Sequence, residues 1–153
     1  MRARLALAIA IVALAGCTST PQATNERDAE AKRFIARPDT AVIYVYRFDI
    51  GSTEMASDDT VLYVDDRLIG STLPLTYFRF EVREGVRLLH GTGHDPGTLK
   101  LETRAGEIYF VMLLAANGIS DFRKVDAATG KRDIQRCCAL LENWAPGQRP
   151  LLN

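Results

Sequence analysis

The sequence has no surplus of charge of either sign: 19 lysines and arginines stand against 19 aspartates and glutamates. With no basic excess to condense on a phosphate backbone, composition argues against a nucleic-acid partner. It also has no apolar run long enough to cross a bilayer as a helix, which takes roughly 20 residues; the run over 5–15 stops well short. Histidine occurs twice, as His90 and His94, and cysteine three times. No Gly-x-Ser-x-Gly is present, so the signature of a serine nucleophile elbow is missing, and no serine has a histidine near it in sequence. What is there is ordinary. The 153 residues, 47% apolar and 25% charged, suit one folded domain.

The short apolar run has a meaning of its own. Arg2 and Arg4 precede it, and Leu14-Ala15-Gly16-Cys17 closes it, the layout of an export signal with small residues before the cleavage point. Small residues directly before a cysteine resemble the bacterial lipobox. In that motif the cysteine thiol is diacylglycerylated, the chain is cut before it, and the new amine is acylated. The sequence therefore predicts a lipoprotein signal peptide over 1–16 and an acylated Cys17 as the first mature residue. Two or more acyl chains hold a protein at a membrane where one only visits. Thr18 rather than Asp follows the cysteine, which points to the outer membrane, with the domain facing the periplasm. Loss of residues 1–16 removes two arginines and leaves a slight acidic excess, a poor match for electrostatic adhesion to anionic head groups.

Residues 17–38 are polar, small and charged, with Phe34 and Ile35 the only large apolar side chains. They read as a flexible tether, or else as a short helix over 26–35 capped by Asn25 that docks Phe34 on the domain. From residue 39 the hydrophobic period changes to two. Eight short strands are expected, over 42–48, 60–64, 67–70, 77–83, 86–90, 99–103, 108–116 and 119–125, separated by Gly, Pro, Asn and Asp punctuation. The first is apolar on both faces and reads as an inner strand; 108–116 is the most buried. Asp65-Asp66 reads as a tight hairpin turn. Phe78, Phe80 and Val82 share one face, with Arg79, Glu81 and Arg83 facing water on the other. An apolar stripe of Ile134, Cys137 or Cys138, and Leu141 predicts one amphipathic helix over 131–143. The fold class is thus mainly β: a small antiparallel β-sandwich of seven to eight strands with one C-terminal helix, a single domain over 39–145 and a frayed tail over 146–153. Trp144 is expected to pack on the sheet.

Four stretches of this sequence resemble a family of bacterial envelope proteins known as domain of unknown function 2846. They are Ala41-Val42-Ile43-Tyr44-Val45-Tyr46-Arg47, Val64-Asp65-Asp66-Arg67-Leu68-Ile69-Gly70, Thr76-Tyr77-Phe78 and Ala105-Gly106-Glu107-Ile108-Tyr109-Phe110-Val111. The resemblance covers roughly residues 39 to 126. It implies a small sandwich domain and carries over no catalytic residue. It gives no guidance for the loop 91–96 or for the adjacent cysteines.

Chemistry has few candidates. His90, His94 and Asp95 could converge on a divalent metal and support hydrolysis, because residues four apart on a strand share a face. Against this, Gly91 and Gly93 loosen the geometry, and Asp95-Pro96-Gly97 reads as a turn. Asp58-Asp59 and Asp65-Asp66 lack the spacing of a calcium loop and read as turn carboxylates. Thr129-Gly130-Lys131 lacks the first glycine of a phosphate loop, since Val125 occupies that position. Cys137 and Cys138 can pair with one another only through a strained vicinal ring. Otherwise one is a buried apolar residue with the other nearer solvent, or one joins a second chain. The sequence therefore leads to a lipid-anchored, non-enzymatic envelope lipoprotein without a cofactor. Its partner would be a protein, a glycan or a second copy, met through exposed aromatics such as Tyr63 and Tyr77 and through strand edges. The alternative is a metal-assisted hydrolase using His90, His94 and Asp95.

Overall fold

The computed structural model describes residues 20–48, 60–92, 95–116, 119–142 and 151–152, with backbone only at 95–96, 116 and 151–152. In chain order the elements are α1 (Asn25–Ala31), β1 (Ala41–Arg47), β2 (Thr60–Val64), β3 (Arg67–Thr72), β4 (Thr76–Val82) and β5 (Gly85–His90). They continue with β6 (Asp95–Pro96), β7 (Thr98–Thr103), β8 (Ile108–Ala116), β9 (Ile119–Val125), α2 (Ala127–Cys137), β10 (Ala139–Leu140) and β11 (Leu151–Leu152). The eight longer strands are the eight runs expected from the period-two pattern. They form a sandwich of two open sheets, ordered β10-β4-β1-β8-β9-β6 with β11 beside β4, and β3-β2-β5-β7.

Between the sheets lies an apolar core to which both contribute. The large sheet supplies Ile43, Val45, Phe78, Phe80, Val82, Val111 and Leu113, and the small one Leu62, Val64, Ile69, Leu89 and Leu101. The large sheet is mixed rather than purely antiparallel. β4 runs antiparallel to β1 and β9 to β8, but β1 and β8 pair in parallel, Ile43 opposite Tyr109 and Val45 opposite Val111, as do the short strands β10 and β11 with β4 and β6 with β9. Alternation names the strands but not their partners, so this central pairing was not readable from the pattern. Strands buried on both faces read as continuous apolar runs, and β1 is buried at every position.

The second face of the large sheet is closed by both helices. Val42, Tyr44, Tyr46, Tyr77 and Phe110 form a second core with Ala31 and Phe34 from α1 and its exit, and with Ile134 of α2. Residues 20–38 are thus docked rather than serving as the expected flexible tether. The helical alternative is the one adopted, with Thr24 rather than Asn25 as cap: its hydroxyl accepts the Arg27 N–H. Three hydrogen bonds hold α1 down. The Tyr44 hydroxyl donates to the Ala31 carbonyl at 2.7 Å, and the Asp28 carboxylate accepts from the Tyr77 hydroxyl and the Leu140 N–H, each at 2.9 Å. The face of β4 expected to meet water is therefore half-covered, and Tyr77, expected to be exposed, is buried.

The C-terminal helix differs from its expected span of 131–143. It begins earlier because the Asp126 carboxylate caps it, accepting the Thr129 N–H at 2.9 Å. Gly130, weighed in the sequence as the tail of a phosphate loop, faces the core: a β-carbon there would stand 2.3 Å from Cγ of Phe110. The helix ends at Cys137 because Cys138 is extended and Ala139–Leu140 pairs with Thr76 and Tyr77 of β4. Cys137 and Cys138 are joined as a vicinal disulfide, one of the arrangements left open above. Leu151–Leu152 lies beside Glu81 and Val82 of β4 rather than fraying, while Trp144 lies outside the described residues.

Candidate functional site

Among the described residues, no helix lies over the outer face of the small sheet. Leu62 and Val64 of β2 point into the core, so Tyr63 between them points outward. The register sets Leu68 of β3 on one side of Tyr63 and His90 of β5 on the other. Along β5, Leu89 is buried and Val86, Leu88 and His90 alternate with it onto the same outer face. The face therefore carries Leu68, Tyr63, His90, Leu88 and Val86 together. Leu68 is 56% and Val86 65% exposed, the two most exposed large apolar side chains among the described residues.

The hairpin that orders this face is fixed by its turn. Asp65 and Asp66 both have positive φ, 51° and 62°, the conformation a two-residue hairpin needs and one that aspartate tolerates. The Asp65 carboxylate accepts the Leu88 N–H and meets the Arg87 guanidinium, each at 2.8 Å, which ties the turn to β5. This is the turn role expected for the pair, and it engages the Asp65 carboxylate fully.

Tyr63 and His90 stack with ring centres 4.9 Å apart and planes 2° from parallel. His90 Nε2 lies 3.2 Å from the Asp66 carboxylate, and Nδ1 lies 3.2 Å from the Gly91 carbonyl. Both ring nitrogens thus face oxygen atoms, whereas a metal ligand must present a nitrogen lone pair to the ion. Of the three candidate ligands, only His90 has a described side chain. His94 lies outside the described residues, as do Cys17, Asp58 and Asp59, and Asp95 is described by its backbone alone. That backbone is a short strand, with Asp95 and Pro96 beside Ile119 and Ser120 of β9, not the turn expected of it. Among the described residues no group of three or more His, Cys, Asp or Glu side chains is arranged to hold a metal. None of the described helices is long and apolar enough to cross a membrane.

One end of the inter-sheet core is polar. Arg47, 3% exposed, donates to the carbonyl and hydroxyl of Thr72. The Thr72 hydroxyl donates to the Thr60 carbonyl at 2.9 Å, and the Thr60 and Ser120 hydroxyls lie 2.8 Å apart. The cluster joins β1 and β9 of one sheet to β2 and β3 of the other. Buried hydroxyls satisfied in this way lock a packing arrangement. Ser120 faces inward here while His90 faces outward, so the two form no nucleophile–base pair.

The comparisons add little chemistry. No protein-family model matches the chain. The chain is similar to an uncharacterized protein of Haemophilus influenzae, 24% identical over 129 residues that cover 80% of this chain and 75% of that protein.

Tyr63 and His90 stand out in the sequence as an exposed aromatic and a candidate ligand. Leu68, Leu88 and Val86 do not. For Leu88 and Val86 the signal is the alternation of 86–90 about Leu89, which places apolar side chains on both faces of the strand.

Proposed function

We propose that this protein is a lipid-anchored module of the bacterial cell envelope that acts by binding, through the outer face of its small sheet. The observation that carries the reading is the contrast in cover among the described residues: the large sheet lies under two helices, while none of them covers Leu68, Tyr63, Leu88 and Val86 of the small sheet. Exposed apolar side chains gathered on one face mark contact surfaces. The anchor reading is supported by the basic residues, the short apolar run and the small residues before Cys17. Thr18 favours the outer membrane. The face then serves an envelope component that the anchor keeps nearby, in an arrangement where tethering raises local concentration.

Mass spectrometry of the natively expressed protein tests the anchor. The expected product begins at Cys17 and carries a diacylglyceryl group and an amide-linked acyl chain. A chain that retains residues 1–16, or that starts with an unmodified thiol, overturns it. A photo-crosslinker at Val86 in intact cells tests the face: envelope components should be captured there and not from Gln135 on the exposed side of α2.

A further inference from the structure

Thr20 is the first described residue, and it is already held on the sandwich. Its hydroxyl oxygen lies 3.1 Å from where a β-carbon on Gly70 would stand. Gly70 belongs to β3, the edge strand of the small sheet. The next residues are pinned as well: the Glu142 N–H donates to the Pro21 carbonyl and the Ala23 N–H to the Leu140 carbonyl, each at 2.8 Å. The chain therefore leaves the domain beside β3 with no slack behind it.

Only Thr18 and Ser19 separate Thr20 from Cys17, so three Cα–Cα steps span at most roughly 11 Å even when fully extended. A head-group layer is itself about 5–8 Å deep. An acyl chain on Cys17 thus brings the β3 edge down to the bilayer surface, where a 20-residue tether would have lifted the domain clear. Two surfaces flank that edge. The helix layer carries Glu26, Arg27, Lys131 and Arg132 on its solvent side. The open face presents Leu68 of β3, on the other side of that strand from Gly70, whose β-carbon would meet Phe78 of the core, then Tyr63, Leu88 and Val86. Apolar side chains gain by leaving water, and tyrosine favours a boundary that is apolar on one side and wet on the other.

We propose that the open face of the small sheet rests on the bilayer itself, with Leu68, Tyr63, Leu88 and Val86 in the head-group layer. This rests on the lipid-anchor reading and names the lipid surface as what that face contacts.

The test uses the full-length protein, expressed so that it is processed and acylated, in phosphatidylethanolamine/phosphatidylglycerol vesicles containing brominated lipid. A Trp144→Phe background removes the single native tryptophan, and one tryptophan is then introduced by Leu68→Trp, Val86→Trp or Ile119→Trp. Ile119, 49% exposed, begins β9 on the far side of the large sheet from β4. Quenching several-fold stronger at 68 and 86 than at 119 is the expected result. Because the two reporter positions are independent and exposed, misfolding of one variant leaves the other to decide. If the protein floats with the vesicles but none of the three positions is quenched, the domain stands off and the face takes a protein or glycan; the inference is then wrong although the anchor stands. Strongest quenching at 119 overturns it equally. If the protein does not float and its mass shows no acyl chain, the anchor reading fails and the inference falls with it.

Discussion

On the outer face of the large sheet, Tyr44, Tyr46, Tyr77 and Phe110 lie beneath α1 and α2, and each of the three phenols finds a hydrogen-bond partner there. On the outer face of the small sheet, Tyr63 stacks on the His90 ring, and Val86 and Leu68 are open. The residue types overlap while the surroundings differ. The difference teaches that cover, and not the strand pattern alone, decides what an outward aromatic does. Where a helix arrives, the side chain becomes core; where none does, it remains available for contact.

Removal of the filling beneath the helices breaks the comparison most forcefully. Phe110 is buried and touches the rings of Tyr44 and Phe34, at 5.2 and 5.6 Å between centres. Phe110→Ala should cost about 3–5 kcal/mol in denaturant unfolding, the range for a large aromatic lost from a packed core. A cost no greater than that of a surface substitution would mean that α1 and α2 do not close this side.

Gly130→Ala sharpens the same point through its sign. Within an ordinary helix this change gains about 1 kcal/mol from propensity. Here the added carbon would stand 2.3–2.5 Å from the Phe110 side chain, an overlap that forces the helix off the sheet and costs about 1–3 kcal/mol. The clash is expected to win, so the variant should be less stable than the parent. A gain in stability would show that α2 sits on the sheet with room to spare.

The buried phenols add a pH dependence. Burial, foremost, pushes the Tyr44, Tyr46 and Tyr77 hydroxyls above their ordinary value near 10; the bonds to Asp133 and Asp28 push Tyr46 and Tyr77 further. The folded chain thus favours the protonated phenols. Their contribution is fully present below about pH 10 and is lost as pH rises through the raised folded-state values. Unfolding in strong alkali should therefore coincide with phenolate absorbance, and Tyr77→Phe should reduce that coupling at a cost of about 0.5–1.5 kcal/mol for the lost bond to Asp28. In a Tyr63→Phe, Tyr109→Phe background, which leaves only these three phenols, phenolate absorbance well before unfolding would contradict the burial of these rings.

Much of the covered side was legible in the sequence. Unbroken apolar residues marked β1 and β8 as inner strands, and a layer had to lie on each of their faces. What supplied the second layer was not legible. α1 offers few large apolar residues of its own, and its hold comes from Asp28 and Phe34 meeting partners about 50 or more positions away, Tyr77, Leu140 and Phe110. Asp126 and Gly130 hid the start of α2 because capping and close approach use the same residue types as turns. Tyr77 was misjudged because alternation shows that it opposes Phe78 but not that α1 covers it. On the open side, Asp65-Asp66 was readable as a turn from residue type alone. The meeting of Tyr63 with His90 was not, since it depends on the β2–β5 register, which only the folded sheet defines.

The smallest effect tests the open side directly. Val86→Ser and Leu68→Ser remove apolar side chains, as Phe110→Ala does, but from positions that are 65% and 56% exposed. Exposed substitutions away from caps and special backbone conformations usually change stability by less than about 0.5 kcal/mol. Neither residue takes part in the turn bonds of Asp65, so the hairpin should hold and unfolding midpoints should barely move. The same pair of changes should nonetheless lower capture by a crosslinker placed at Leu88, between them on that face, because the contact surface loses its apolar ends. A stability loss approaching that of Phe110→Ala would show that this face is packed within the monomer, and its side chains would then belong to the core rather than to a partner.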